Sequence, residues 1–296
     1  MYTKPTAPRS IGGVLDGAFS LWMPILKKTW PLIVLPQLVS FVLSIPQLSQ
    51  MANLRPGEMP ALNGGPWYSQ LLSTVAGLIF LGFYAAMIAR ADNAASQGSM
   101  SLGESLKIGF GFWGRCFLLV LIMVLIMLPV LVPIVLLSRR LQGGQFPASM
   151  MSPVLGLAVF LYALFLLFIF VRLVLALVAL VLENLGAWSS IRSSWNLTRG
   201  HWWRCCAILT VLTIVTYVVV LIAGVVLAIF GIRNGIRGGM FSFPALIVTQ
   251  LFGVLVGLLF TPLFLGGFLA MFYDLKLRSE GGDLAGRVEA LGSAKT

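Results

Sequence analysis

The chain has 296 residues, 59% of them hydrophobic and only 10% charged, with a net charge of +11 and a mean hydropathy of +0.98. Globular domains carry about 25% charged residues, so a wholly water-soluble fold is excluded and the bulk of the chain belongs in lipid. A nucleic-acid partner goes with it, because no basic soluble domain is left to carry one; lysines and arginines flanking membrane spans account for the surplus charge.

The first 28 residues do not resemble a cleaved signal peptide, having no compact apolar region and no small-residue cleavage site. They contain "SIGGVLDGAFSLWMPILKK", in which Ile11, Leu15, Phe19 and Trp22 fall within about 80° of one helical face, with Lys27 and Lys28 behind them. The first span is predicted at 30–48. Pro31, Pro36 and Pro46 mark bends in it, and Gln37, Ser40, Ser44 and Gln47 make a polar stripe. The second span, 71–89, leads to Asp92.

Then comes "SLGESLKIGFGFWGRC", where Leu102, Leu106, Phe110 and Trp113 repeat the first spacing and Arg115 follows. The third span is predicted at 117–137, with Pro129 and Pro133 as bends. The fourth apolar run, 153–182, exceeds the 20 or so residues that a crossing needs; it holds Arg172 and ends at Glu183. Two readings of Arg172 stand. If the span stops at Val171, the arginine sits at the membrane boundary and the rest continues as a buried or interfacial helix, the preferred reading; if the span runs on, it is an intramembrane charge in need of a partner, such as a lipid phosphate.

The next stretch, "SSIRSSWNLTRGHWWRC", keeps Ile191, Trp195 and Trp202 in the same phases, with Arg199 in the remaining slot and Arg192, Trp203 and Arg204 alongside. The fifth span, 207–230, carries Thr210, Thr213, Thr216 and Tyr217, and the sixth, 245–273, carries a Gly253–Gly257 pair and Pro262 before Asp274. Residues 281–296 read as a polar tail.

Asp92, Glu183 and Asp274 stand 91 residues apart. With the recurring helix phase, this predicts three degenerate modules of about 90 residues, near 10–92, 101–183 and 190–274, each an amphipathic helix followed by two spans. The fold class is therefore all-α: an integral membrane bundle of six transmembrane helices with three cytoplasmic interfacial amphipathic helices and a threefold pseudo-repeat, in one domain over residues 1–280. Fourteen lysines and arginines fall on the side of the termini and five (Arg55, Arg139, Arg140, Arg233 and Arg237) on the other. The positive-inside rule then places both termini in the cytoplasm of a bacterial inner membrane. All tryptophans but Trp67 lie on the same side, as an aromatic belt would.

"LENLGAWSSIRSSWNLTRGHWW" resembles a pattern in polytopic bacterial proteins related to the membrane domain of glycerophosphoryl diester phosphodiesterase. The residues that carry it are Glu183, Asn184, Ser194, Leu197, Thr198 and Gly200. "SIGGVLDGAFSLW" and "FYDLKLRSEGGDL" resemble that family's start and tail. The resemblance implies a multi-pass architecture. Some relatives fuse it to a phosphodiesterase barrel; six spans leave no room for one here, so the enzymatic activity is not carried over.

Groups suited to catalysis are sparse. His201, the only histidine, sits among tryptophans, and Cys116, Cys205 and Cys206 have no metal-site spacing. No glycine loop with a lysine could cradle a phosphate. Asp92, Glu183 and Asp274 read as structural acids pairing with Arg90, Arg192 or Lys276. The expectation is a non-enzymatic protein without cofactor or metal. Trp22, Lys27, Lys28, Trp113, Arg115, Arg192, Trp195, Arg199, Trp202, Trp203 and Arg204 would contact lipids, anionic ones above all, or organise a membrane-protein partner. The bland counterpart is that these helices only cap the bundle. The alternative function is a small transporter or channel for a solute or lipid, its polar path lined by Gln37, Ser40, Ser44, Gln47, Arg172 and Thr213; the same side chains would otherwise serve as hydrogen-bonding helix contacts.

Overall fold

A computed structural model describes residues 5, 8–52, 67–142, 153–233 and 243–293. Over these residues the chain is helical, with no strand: α1 (Ile11–Ala52), α2 (Trp67–Ala95), α3 (Leu102–Gly111), α4 (Trp113–Gln142), α5 (Pro153–Leu173), α6 (Ala176–Leu182), α7 (Ala187–Thr198), α8 (Trp202–Arg233) and α9 (Phe243–Ser293). Five stretches are long and apolar enough to cross a membrane: Ile11–Gln50, Trp67–Ala95, Phe160–Leu182, Trp202–Val225 and Leu246–Gly281. A sixth is reached if α3 and α4, bent by 52° at Phe112, count as one broken span. This is the build of a membrane protein.

Local chemistry explains where the short helices begin and stop. Ser101 caps α3: its hydroxyl accepts the Glu104 N–H, and the Glu104 carboxylate accepts the Ser101 N–H at 2.8 Å, a reciprocal box that satisfies two otherwise orphaned donors. Between α6 and α7, Asn184 takes φ 53°, and between α7 and α8, Gly200 takes φ +80°. Glycine enters that region without the penalty a Cβ would bring, which lets α8 leave α7 at a sharp turn.

Two elements differ from the sequence expectation, and a third follows one of its two readings. The first amphipathic segment is not a separate helix: α1 runs unbroken from Ile11 to Ala52 through Pro24, Pro31, Pro36 and Pro46. Its 42 residues make a rod of about 60 Å, twice the hydrocarbon thickness of about 30 Å, so it is longer than one crossing needs. The fourth apolar run is interrupted at Val174–Leu175, just past Leu173, and continues as the short helix α6, in keeping with the reading that has a second helix follow Arg172. The last span and most of the segment read as a polar tail form one helix, α9. Arg55, Glu58 and Arg237, and the side chains of Arg139, Arg140, Arg233, Pro129 and Pro133, lie outside the described residues.

The core sits at one end of the bundle, called here the charged end. Leu21 and Ile25 of α1, Leu119 of α4, Leu175 and Leu180 around α6, Ile208 and Leu212 of α8, and Leu263, Leu269 and Phe272 of α9 are all buried there. The packing order is cyclic. α3 lies on α2, α7 on α5 and α6, and α1 on α9. Each amphipathic segment thus docks on the apolar helix that precedes it in the chain, and the first docks on the last.

Candidate functional site

The faces that make these dockings are not the ones that hydropathy picks out. On α7 the buried residues are Ala187, Ser190, Ile191, Ser194 and Thr198; on α3 they are Ser105 and Gly109. On α1 the corresponding residues, Val14 and Ala18, are buried as well. In apolar surroundings no hydrophobic force drives helices together, so close approach through small side chains does the work. A Cβ on Gly109 would lie 2.3 Å from the Gly82 carbonyl oxygen, so α3 touches α2 backbone to backbone. The large residues of the predicted face are divided: Ile11, Phe19, Leu102, Phe110, Trp113 and Trp195 are exposed, Leu15, Trp22, Leu106 and Trp202 are half-buried against the core, and Ile191 is buried. Trp203 is 80% and Trp188 66% exposed.

Two tryptophans of these segments keep their indole N–H satisfied in the same way. Trp22 donates to the Leu259 carbonyl at 2.6 Å and Trp113 to the Leu78 carbonyl at 2.7 Å. Each reaches the apolar helix on which its own segment docks. Trp202 stands in the third such position, its ring centroid 5.9 Å from that of Phe168 on α5, but its buried N–H has no partner among the described residues.

The predicted basic residues divide into two groups. Lys28 donates to the Gly98 carbonyl at 2.6 Å, Arg115 to the Asn184 side-chain oxygen at 2.6 Å, and Arg204 to the Asp274 carboxylate at 3.0 Å; these bind the protein to itself. Lys27, Arg192 and Arg199 have no hydrogen-bond or ion-pair partner among the described residues, and all three are exposed. Arg172 belongs with the first group. Its guanidinium lies 5.2 Å over Phe168 and 5.0 Å over Trp195 and donates to the Trp195 carbonyl at 3.3 Å and the Thr198 hydroxyl at 3.4 Å. Ser194 returns a bond to the Arg172 carbonyl at 2.7 Å. The break after α5 frees that carbonyl, and α7 takes it up.

All three acids meet one short stretch of α9. Tyr273 donates to Asp92, and Lys276 pairs with Glu183 at 2.8 Å. Asp274, 1% exposed, accepts the Arg9 N–H at 2.7 Å and is paired at 3.0 Å with both Arg204 and Arg278. Lys276 is thus the expected partner of an acid, but Arg90 and Arg192 are not: Arg90 donates to the buried Ser105 hydroxyl at 3.3 Å, and Arg192 faces outward. The reason is reach, since docking through small residues brings Ser105 directly under Arg90.

The described residues of the predicted polar path differ in their surroundings. The Gln37 amide rests against Gly257, where a Cβ would come within 2.6 Å. Ser44 donates to the Phe41 carbonyl at 2.7 Å, within its own helix. Ser40 is exposed, and Gln47 and Thr213 are half-buried. Among the described residues no group of three or more His, Cys, Asp or Glu could hold a metal.

Two concavities flank α7. One, of about 490 Å³, is apolar and lies between α4, α5 and α7, with Ile126, Ile169, Leu173, Trp188, Trp195 and Arg192 around it. The other, of about 500 Å³, is polar and takes in Glu183, Ser189, Arg192, Asn196, Lys276 and Glu280. Arg192 is common to both.

Sequence reasoning missed the small-residue stripes. The only trace of them was Ser190, Ser194 and Thr198 recurring every four residues, which hydropathy scores as a polar face. It also missed Tyr273, Arg278 and the backbone of Arg9, whose partners lie far away in sequence.

No curated protein and no solved structure matches the chain. Residues 28–275, from within α1 to the acid cluster of α9, match a domain of unknown function (DUF7847). That match takes in α3, α6 and α7 but not the first amphipathic segment, and on it the chain belongs to the DUF7847 family.

Proposed function

We propose that the protein is a non-enzymatic, six-span protein of the bacterial inner membrane, with both termini cytoplasmic. Its three amphipathic segments rest on the inner leaflet and contact lipids, with anionic lipids favoured, or hold a membrane partner there. The observation that carries this is the orientation of those segments: small residues such as Ser105, Gly109, Ser190 and Ser194 face the bundle, while Phe19, Trp188 and Trp203 are exposed. A helix that served only to cap the bundle would turn its large apolar side chains inward; aromatic residues turned outward at the ends of spans suit the headgroup boundary. Lys27, Arg192 and Arg199, unpartnered among the described residues, would each add about 1 kcal/mol of attraction to an anionic leaflet.

The threefold pseudo-repeat belongs to the same proposal. It is supported by the cyclic docking and by the matching bonds of Trp22 and Trp113. So does kinship with the membrane domain of glycerophosphoryl diester phosphodiesterase, which rests on Glu183, Asn184, Ser194, Leu197, Thr198 and Gly200. Of these, Glu183, Ser194 and Thr198 hold α7 in place through Lys276 and Arg172.

The test is tryptophan quenching by lipids brominated near the headgroup, in proteoliposomes. Strong quenching is expected, greater from anionic brominated lipid, and reduced by Trp188→Phe with Trp203→Phe. Emission indifferent to brominated lipid would end the lipid-contact reading. Solute flux into the vesicles that Gln37→Leu abolishes would replace it with transport.

A further inference from the structure

Arg192 stands where an apolar groove meets a polar cleft, and that junction has the amphipathic profile of one lipid molecule. The groove lies at the level of Ile126 and Ile169, within the apolar stretches of α4 and α5, and two indoles, Trp188 and Trp195, stand beside it. The cleft lies on the other side of α7, against the end of α9. The single residue bordering both is an arginine with no partner of its own among the described residues.

The charges of the cleft narrow the headgroup. Glu183 and Lys276 neutralise each other at 2.8 Å, and Ser193 holds the same carboxylate at 3.2 Å. That leaves one cation, Arg192, and one acid, Glu280, whose side chains are exposed and have no hydrogen-bond or ion-pair partner among the described residues. A phosphodiester would take the arginine, whose fork suits phosphate oxygens. An anionic headgroup would then bring nothing to answer Glu280, whereas a primary ammonium would.

We propose that the groove and the cleft form one site for a single glycerophospholipid with an amine-bearing, zwitterionic headgroup. Its acyl chain lies along Ile126, Ile169 and Leu173 between the two indoles. Its phosphate is on Arg192 and its ammonium at Glu280, with the Ser189 hydroxyl and Asn196 amide beside the headgroup. The proposal deepens the lipid-contact reading and rests on it: a bilayer surface needs only net positive charge, but this site selects one molecule by charge pattern.

The experiment uses the full chain in nanodiscs holding equal amounts of phosphatidylethanolamine and phosphatidylglycerol. The protein is then released into mild detergent, and the retained lipid is identified by native mass spectrometry. One phosphatidylethanolamine per chain is expected. Arg192→Gln should cut its retention about tenfold, the loss of one charge-assisted bond, with an unchanged melting temperature because that side chain holds no other part of the protein. Glu280→Gln should keep a lipid but abolish the preference between the two headgroups. Retention in the bulk ratio and indifferent to Arg192→Gln overturns this site, while bromolipid quenching can still uphold the broader reading. Selective retention of phosphatidylglycerol through Arg192 overturns the assignment of the headgroup. Absence of both retained lipid and quenching overturns site and broader reading together.

Discussion

The charged end of the bundle and its far half are built on opposite rules. At the charged end, Gly109 and Gly267 have no room for a Cβ: one would lie 2.3 Å from the Gly82 carbonyl and the other 2.5 Å from Leu212. In the far half, Gly77, Gly224 and Gly253 have nothing within 4 Å. Asp274 is buried between the guanidiniums of Arg204 and Arg278 and the Arg9 N–H, while Leu221 is 67% exposed. The difference teaches where the fold is decided. Contacts among helices concentrate at the charged end, and the outer halves keep side chains whose natural solvent is hydrocarbon, where exposing leucine costs nothing.

The largest effect should come from the charged end. Asp274→Ala removes the buried carboxylate from between Arg204 and Arg278, leaving two half-buried guanidiniums with only the Arg9 carbonyl between them, and should cost about 3 kcal/mol. Thermal unfolding of the full chain in detergent measures it, and a loss below about 1 kcal/mol would mean that the cluster is surface decoration. Gly109→Ala pushes α3 off α2 and should cost about 1–3 kcal/mol, whereas Gly253→Ala should be neutral or gain up to about 1 kcal/mol of helix propensity. Equal effects at the two glycines would erase the contrast between the ends.

Ser101→Ala should cost about 1 kcal/mol by removing the α3 cap, read as faster amide exchange confined to residues 102–111. The hydrogen bond from the Ser101 N–H, and then that with its hydroxyl, hold the Glu104 carboxyl below its ordinary range. Its contribution to the order of α3 is therefore complete above the usual carboxylate range and fades as pH falls through Glu104's lowered value. A spin label on α3 should loosen in acid in the parent protein and show a smaller change in Glu104→Gln. The smallest effect belongs to the far half: Leu221→Ala should stay within about 0.5 kcal/mol, measured by the same thermal unfolding.

The far half was the part legible in the sequence. Long apolar runs declare themselves by composition, because lipid demands the same thing of every exposed position. The short helices were legible as helices, since Leu102, Leu106, Phe110 and Trp113 repeat with helical phase. Their docking was not: the residues that touch the bundle are Ser105, Gly109, Ser194 and Thr198, which hydropathy counts as polar or neutral, and small residues announce close approach only once the partner helix is known. The continuity of α1 was hidden by its prolines, which signal breaks in isolation but bend a rod that α9 supports along its length. The equal spacing of Asp92, Glu183 and Asp274 pointed to a shared role; that they converge on Tyr273, Asp274 and Lys276 of one helix depends on three dimensions.

The docking of α1 on α9 has a consequence for how the protein is made. The Arg9 N–H meets Asp274 265 positions later, and the arginines Arg204 and Arg278 both close on the Arg9 carbonyl. A ribosome delivers α1 first and its principal partner last, so the stripe of Val14, Ala18 and Leu21 stays uncovered until translation of α9 is done. α3 and α7 can settle as they emerge, each on the helix just before it, but the circle shuts only once α9 has followed. A nascent chain stalled ahead of α9 would leave the first helix as the orphan that membrane quality control encounters.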